Sequence, residues 1–213
     1  MCCRYYIGSS ERTQELFEQM PQSLKSRWEH SDAVKTSGEI RPTDVAPVIA
    51  PNSKGERAVY PMKWGYAQSS LVINARVESA SKKPTFADSW KAHRCVIPAT
   101  YYYEWEHLKD AATGKEKTGD KYILQTKDTD MTYLCGLYRI VGDLPYFVIL
   151  TRESGEDIRF IHDRMPLILP EEKIDEWIRP DSNPEDIIGS VITDLYFKKA
   201  ETGTEIGEQL SFF

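Results

Sequence analysis

Cys2 offers more chemistry than any other residue in this chain. An initiator methionine is commonly removed before a residue as small as cysteine. Its loss would leave an α-amine and a thiol on the same residue. The amine has an ordinary pKa of about 8 and the thiol one of about 8.5, so both keep a reactive fraction at neutral pH. Such an amine condenses with an aldehyde to a Schiff base, and the thiol then closes a five-membered thiazolidine. The same residue fits an N-terminal nucleophile amidohydrolase, in which the amine is the thiol's own base, or a cysteine peptidase. It also fits a small terminal residue with no chemistry at all.

Four further segments gather reactive side chains. Leu71-Val72-Ile73 is an apolar strand-like run that ends in Asn74, Ala75, Arg76, Val77 and Glu78. The Asn74 amide can hold a carbonyl or an amine, because it both donates and accepts. Arg76 can bind a phosphate with two parallel hydrogen bonds. In Ala99-Thr100-Tyr101-Tyr102-Tyr103-Glu104-Trp105-Glu106, a carboxylate lies among large aromatics. Burial there would raise the Glu104 pKa toward that of a general acid or base, whereas an edge strand would leave it in water. In Ile161-His162-Asp163-Arg164-Met165-Pro166, His162 titrates near neutrality and Arg164 supplies a planar fork for phosphate. In Lys63-Trp64-Gly65, a stacking face beside a cation suits an unpaired base, though a core tryptophan is the simpler reading. His30, His93 and His107 fall in polar helix or loop contexts and suggest no role.

These segments need elements to hold them. Ser9-Ser10 before and Pro21 after bracket a short helix over 11–19, and a second is expected over 22–28. Short β-like runs follow at 44–50, 57–62 and 70–75. Pro84 suits the first turn of a helix over 84–92. Strands are expected at 94–97, 99–105, 121–126, 131–140, 145–151 and 165–169. The polar stretch 107–120 reads as an exposed hairpin loop, and Gly142-Asp143 as a turn. A short helix is expected over 154–161, another opens at Pro170 and ends near Pro180, and a last one starts at Asn183-Pro184. Many short strands with a few helices predict a single α+β domain over 1–213, with 181–213 as a C-terminal helix and tail.

Composition narrows the class. The chain has 213 residues, 40% hydrophobic and 28% charged, ordinary values for a soluble domain. No apolar run approaches the roughly 20 residues that span a bilayer. Met1-Cys2-Cys3-Arg4-Tyr5 lacks the apolar stretch of a signal peptide, so a cytoplasmic protein with no membrane partner is expected. The net charge of −6 argues against general nucleic-acid affinity and leaves a local basic groove open. Cys2, Cys3, Cys95 and Cys135 form no C-x-x-C pair, so no metal site is expected. Cys95 and Cys135 read as buried small hydrophobes.

In this order and spacing, Met1-Cys2, Trp64-Gly65, the 73–78 strand, the 97–105 strand and Ile161-His162-Asp163-Arg164-Met165-Pro166 resemble the SRAP family (SOS response-associated peptidases, or abasic site processing proteins). The resemblance spans about residues 1–180. It implies a compact α+β domain with a barrel-like, mostly antiparallel β core flanked by short helices. It implies capture of abasic sites in single-stranded DNA through a thiazolidine crosslink. An associated strand-cleaving lyase step and a peptidase step that removes Met1 are further expectations of the resemblance. Cys2 would supply both amine and thiol, Asn74 would orient that amine and the sugar, Glu104 would carry protons, and His162 would assist ring opening. Arg4, Arg76 and Arg164 would hold phosphates, Arg41 would add another contact, and Trp64 would stack on a base. The resemblance implies no cofactor, a monomer, replication-fork proteins as further partners, and association with the nucleoid when bound to DNA. Two features depart from the family pattern: Cys3 replaces the usual glycine, and the loop after Gly65 is short and lacks a second tryptophan.

Overall fold

The computed structural model describes residues 2–28, 33–109 and 113–200. The expectations for Met1 removal, for His30, for the tip of the 107–120 loop and for the end of the C-terminal tail lie outside them. The strands in chain order are β1 (Arg4–Ile7), β2 (Gly38–Ile40), β3 (Val45–Pro51), β4 (Arg57–Trp64), β5 (Tyr66–Ala67), β6 (Leu71–Val72), β7 (Asn74–Arg76) and β8 (Arg94–Ala99). They continue with β9 (Tyr101–Lys109), β10 (Glu116–Thr126), β11 (Thr132–Val141), β12 (Leu144–Glu153), β13 (Arg164–Pro166), β14 (Ile168–Leu169) and β15 (Leu195–Lys199). The helices are α1 (Glu11–Glu18), α2 (Gln22–Lys25), α3 (Val77–Ala80), α4 (Ala87–Ala92), α5 (Ile174–Ile178) and α6 (Pro184–Ile188).

β12, β4, β3, β8 and β11 pair in that order, and β11 pairs back onto β12, closing a five-stranded barrel. Its strands carry near-continuous apolar runs because both faces are covered: β8 is buried at every position and β3 at all but its last. The β11–β12 hairpin turns at Gly142, whose φ of +62° is cheap for glycine. β7 adds to β12 in parallel, pairing Asn74 with Ile149 and Arg76 with Thr151. An open sheet in the order β15-β10-β9-β1-β2 packs over the barrel. Its inner face sends Tyr5, Ile7, Tyr102 and Leu124 into the main core, while Tyr6, Tyr101, Tyr103, Trp105 and Ile123 gather on its outer face. The α+β architecture with a barrel-like core is therefore as expected. Cys95 and Cys135 are fully buried, also as expected.

Several boundaries differ from the sequence reading. The hairpin strands β9 and β10 run well into the stretch read as a loop, because the backbone pairing of Glu116, Lys117 and Thr118 with Lys109, Leu108 and His107 needs no apolar side chains. The 84–92 helix begins only at Ala87, with Pro84 in the preceding turns. β15 lies inside the segment read as helix and tail, where it pairs antiparallel with β10. Its sequence, Leu-Tyr-Phe-Lys-Lys, carries too few alternations to announce a strand.

Candidate functional site

Two of the candidate residues, Cys2 and Asn74, meet just before β1, beside β7. The Asn74 side-chain N–H donates to the Cys2 carbonyl at 2.9 Å. Asn74 Oδ1 is buried and has no partner among the described residues, as do the hydroxyls of Tyr5 and Tyr102. Tyr5 and Tyr102 are cross-strand partners on β1 and β9. The Cys2 side chain is fully buried, and its thiol donates weakly to the Arg4 carbonyl at 3.7 Å. Burial pushes that thiol well above its ordinary pKa, and the Glu104 charge pushes it further. It therefore needs a proton acceptor before it can attack.

Glu104 is a carboxylate near enough for its charge to act on that thiol. It is 3% exposed on the inner face of β9. Desolvation raises its pKa to about 6. At neutral pH it is mostly a carboxylate, yet it protonates within easy reach, which suits a group that must take and return a proton. Glu104 Oε1 accepts from the Trp105 backbone N–H at 3.3 Å.

His162 sits in the turn that leads into β13 and is 5% exposed. Burial lowers its pKa to about 4, with the facing His107 contributing in the same direction. The ring is thus neutral at pH 7. Its Nδ1 accepts the Arg164 backbone N–H at 2.9 Å, which leaves the ring proton on Nε2. Asp163 Oδ1 lies 2.8 Å from the same Nδ1, an attraction only when the ring is protonated. The rings of His107 and His162 are 3.9 Å apart, centroid to centroid. The sequence suggests no role for His107. Its exposed position at the end of a strand gives no signal, and only the return of the chain at Ile161, whose carbonyl accepts the His107 N–H at 3.0 Å, brings the two rings together.

Two of the expected DNA contacts need correction. Trp64 is fully buried, with Tyr5 at 5.3 Å on one side and Phe147 at 6.0 Å on the other, so no face is left for a base. Its indole N–H instead donates to the Ile73 carbonyl at 3.0 Å, which fixes the residue before Asn74. Gly65 makes this turn possible: its φ is +113°, and a Cβ there would meet Leu71 at 2.7 Å. Arg164 is 8% exposed, and its fork grips both Glu78 carboxylate oxygens at 2.8 and 2.9 Å and the Thr151 carbonyl at 2.7 Å. Its two terminal nitrogens are engaged there, and only Nε is left without a partner among the described residues. Burial alone would raise the Glu78 carboxyl, but this guanidinium holds it below the usual range.

Arg76 is exposed and lines a polar cleft of about 230 Å³ with Glu153, Arg159, Asp163 and Arg164. Arg159 does not stand out in the sequence, because a lone arginine in a polar turn gives no pattern. Arg4 and Arg41 lie elsewhere. Both pair with Glu39, at 3.0 and 2.6 Å, and Arg4 also lies over Trp105 on the outer face of the open sheet. The structure thus brings Cys2 and Asn74 into contact and sets Arg76 and Arg164 along one cleft. It puts Arg4 and Arg41 around Glu39, with Arg4 over Trp105.

Known proteins share both sequence and fold with this chain. It is 33% identical over 150 residues to the abasic site processing protein YobE of Bacillus subtilis, covering 68% of this chain and 61% of that one. It is 29% identical over 134 residues to YedK of Escherichia coli, covering 56% and 54%, and 24% identical over 211 residues to HMCES of Rattus norvegicus, covering 75% and 56%. The matched stretch thus spans less than two thirds of each of these relatives. Among solved structures, a protein from Bacteroides thetaiotaomicron superposes with a TM-score of 0.71 at 18% identity, covering 94% of this chain and 93% of that one. A phage-related protein from Bordetella bronchiseptica gives 0.69 at 20% identity, covering 94% and 95%. The profile of the SOS response associated peptidase (SRAP) family matches residues 1–204, and the chain belongs to that family.

Proposed function

We propose that this chain recognises abasic sites in single-stranded DNA and captures them covalently through Cys2 once Met1 has been removed. The observation that carries the reading is Asn74 Oδ1, a buried acceptor beside Cys2 that has no partner among the described residues and whose amide holds the Cys2 carbonyl. A freed Cys2 amine is the donor this acceptor lacks. The names of the relatives, abasic site processing proteins, support the same substrate.

The ring-opened abasic sugar presents an aldehyde. The neutral Cys2 amine adds to it, and loss of one water gives the Schiff base. The thiol then adds across the C=N bond, its proton passes to Glu104, and the ring nitrogen takes a proton back, so one water is lost overall. A carboxylate with a pKa of about 6 can make both transfers near neutrality. His162, neutral with its proton on Nε2, is suited to donate to the sugar ring oxygen as the ring opens. Arg76 is the exposed guanidinium for a flanking phosphate. A lyase step that cleaves the strand, and removal of Met1 by the same thiol, are further activities within this reading.

The test starts with mass spectrometry to establish that Met1 is gone. The protein is then mixed with a single-stranded oligonucleotide carrying one abasic site and run on a denaturing gel. A band that survives denaturation and is lost in Cys2→Ala supports capture, and a shortened strand reports the lyase step. No adduct from Met-free protein would sink the proposal.

A further inference from the structure

Among the described residues only two aromatic side chains are markedly exposed, Phe160 at 51% and Tyr196 at 40%. Tyr196 and Phe197 are neighbours on β15 and so point to opposite faces. Phe160 belongs with Phe197. The two rings are 5.6 Å apart, and each meets Tyr122 edge-on, at 5.7 and 6.3 Å. Tyr122 is itself locked, because its hydroxyl donates to Glu106 Oε1 at 3.2 Å while Glu106 Oε2 accepts the Asp120 backbone N–H at 3.2 Å. An exposed phenylalanine is thus held from below by two fixed rings. Such support sets the ring's orientation without covering it.

The location gives this ring a use. Tyr122 is the cross-strand partner of Glu104. Phe160 lies two residues before His162, and its neighbour Arg159 lines the cleft with Arg76 and Arg164. The buried Nε of Arg164, without a partner among the described residues, belongs to the same cleft. One short segment, 159–164, therefore carries an exposed cation, an exposed aromatic face and the histidine proposed to assist ring opening. Trp64 cannot stack on a base, because it is buried.

We propose that Phe160 is a stacking shelf for the nucleobase adjacent to the abasic position, with Arg159 and Arg76 contacting the phosphates of the same strand. The inference rests on the proposed function and adds a base-reading contact to it. An abasic nucleotide has no base of its own to grip, so affinity for the lesion must come from the backbone and from a neighbour. A base–aromatic stack is tolerant of sequence, since every base has a π-face, and purines gain more from it than pyrimidines.

The experiment measures reversible binding of a single-stranded oligonucleotide carrying a tetrahydrofuran abasic analogue, which has no aldehyde and cannot crosslink. The strand is made with adenine, thymine or a second tetrahydrofuran on each side of the lesion. Phe160→Ala should weaken binding about tenfold with a flanking adenine, less with thymine, and not at all where the flanking base is absent on the side that stacks. Phe160→Trp should keep the affinity, and its fluorescence should fall when the adenine strand binds. Phe160→Leu, compared by urea denaturation, separates stacking from folding: it should be as stable as wild type and still lose the adenine preference. Equal losses across all flanks, or no loss, would overturn the shelf and leave the capture reading standing. Failure of the wild-type protein to bind any of these strands, or to form the adduct with a true abasic site, would overturn both.

Discussion

The molecule buries two arginines to opposite effect. Arg94 on β8 is 1% exposed and has no carboxylate in salt-bridge contact among the described residues. Its guanidinium instead donates to the carbonyls of Trp90, Lys91, Trp177, Arg179 and Ser182, and to the Ser182 hydroxyl. It ties α4 to the end of α5, where the Trp177 indole N–H also donates to the Cys95 carbonyl at 3.0 Å. Every side-chain nitrogen of Arg94 is used. Arg164 holds one carboxylate and one carbonyl, and it leaves Nε unused beside an open cleft. Orphaned polar atoms cost stability, so a fold keeps them mainly where something else will fill them. Four further orphans, Asn74 Oδ1, the Tyr5 and Tyr102 hydroxyls and Ser154 Oγ, lie on the same strands or loop as the candidate site. On the proposed function, the difference separates a region built for rigidity from one that a ligand would complete.

The sharpest way to break this comparison is Arg94→Ala. It strands several buried carbonyls at once, each worth about 1–3 kcal/mol, so a loss of about 4 kcal/mol is expected in urea denaturation. Whatever Arg94→Ala protein remains folded should still form the adduct at an unchanged rate. A selective loss of adduct formation in folded protein would show that the clamp is part of the site.

Glu104→Gln should have the next largest effect, and here stability and chemistry should move apart. The Glu104→Gln protein should form the adduct about a hundredfold more slowly and lose the pH dependence centred near 6. Stability should change the other way. The Glu104 pKa is raised on folding, so the native state holds an extra proton between about 4.5 and 6, and wild type loses stability as pH rises through that window. Above it the mutant should be more stable than wild type by about 2 kcal/mol, and at pH 4 the two should coincide. Denaturation at both pH values checks the sign.

How much of this was legible in the sequence follows the same division. The residues proposed to do the chemistry, Cys2, Asn74, Glu104 and His162, stand out by type and order, since chemistry needs particular atoms. The barrel strands announce themselves by long apolar runs. What stays hidden depends on tertiary contact. Trp64 looks like a stacking residue until Tyr5 and Phe147 cover it. Arg164 looks like a phosphate fork until Glu78, 86 residues away, fills it. Phe160 carries no signal in sequence, because an exposed phenylalanine in a turn is defined only by the rings beneath it. β15 is hidden likewise, being a strand only by virtue of β10.

Arg76 and Arg164 allow a finer cut at the cleft. Arg76→Ala should leave stability unchanged and reduce the salt dependence of single-strand binding by a slope of about 0.7, the value for one lost phosphate contact. Arg164→Ala should do the converse: a loss of about 2 kcal/mol in stability, as Glu78 and the Thr151 carbonyl lose their donor, with a smaller change in slope. Equal slope changes for both would mean that Arg164 leaves Glu78 when DNA binds.

The smallest expected effect belongs to His107. His162 is packed against His107 on β9 and lies beside Asp163 and Arg164 on its own segment. His107 and Arg164 disfavour a second positive charge, while Asp163 favours one. Removing the facing imidazole in His107→Gln takes away one of the influences that hold His162 low. Its pKa should therefore rise from about 4, with burial still keeping it below the ordinary histidine value. An NMR titration of the His162 ring reads this directly. The ring should stay neutral at pH 7 in both proteins, so adduct formation at that pH should hardly change, and the mutant should differ only on the acid side. A downward move of the His162 titration would mean that the exposed ring stabilises the protonated form instead, and that the two histidines share a proton rather than repel one another.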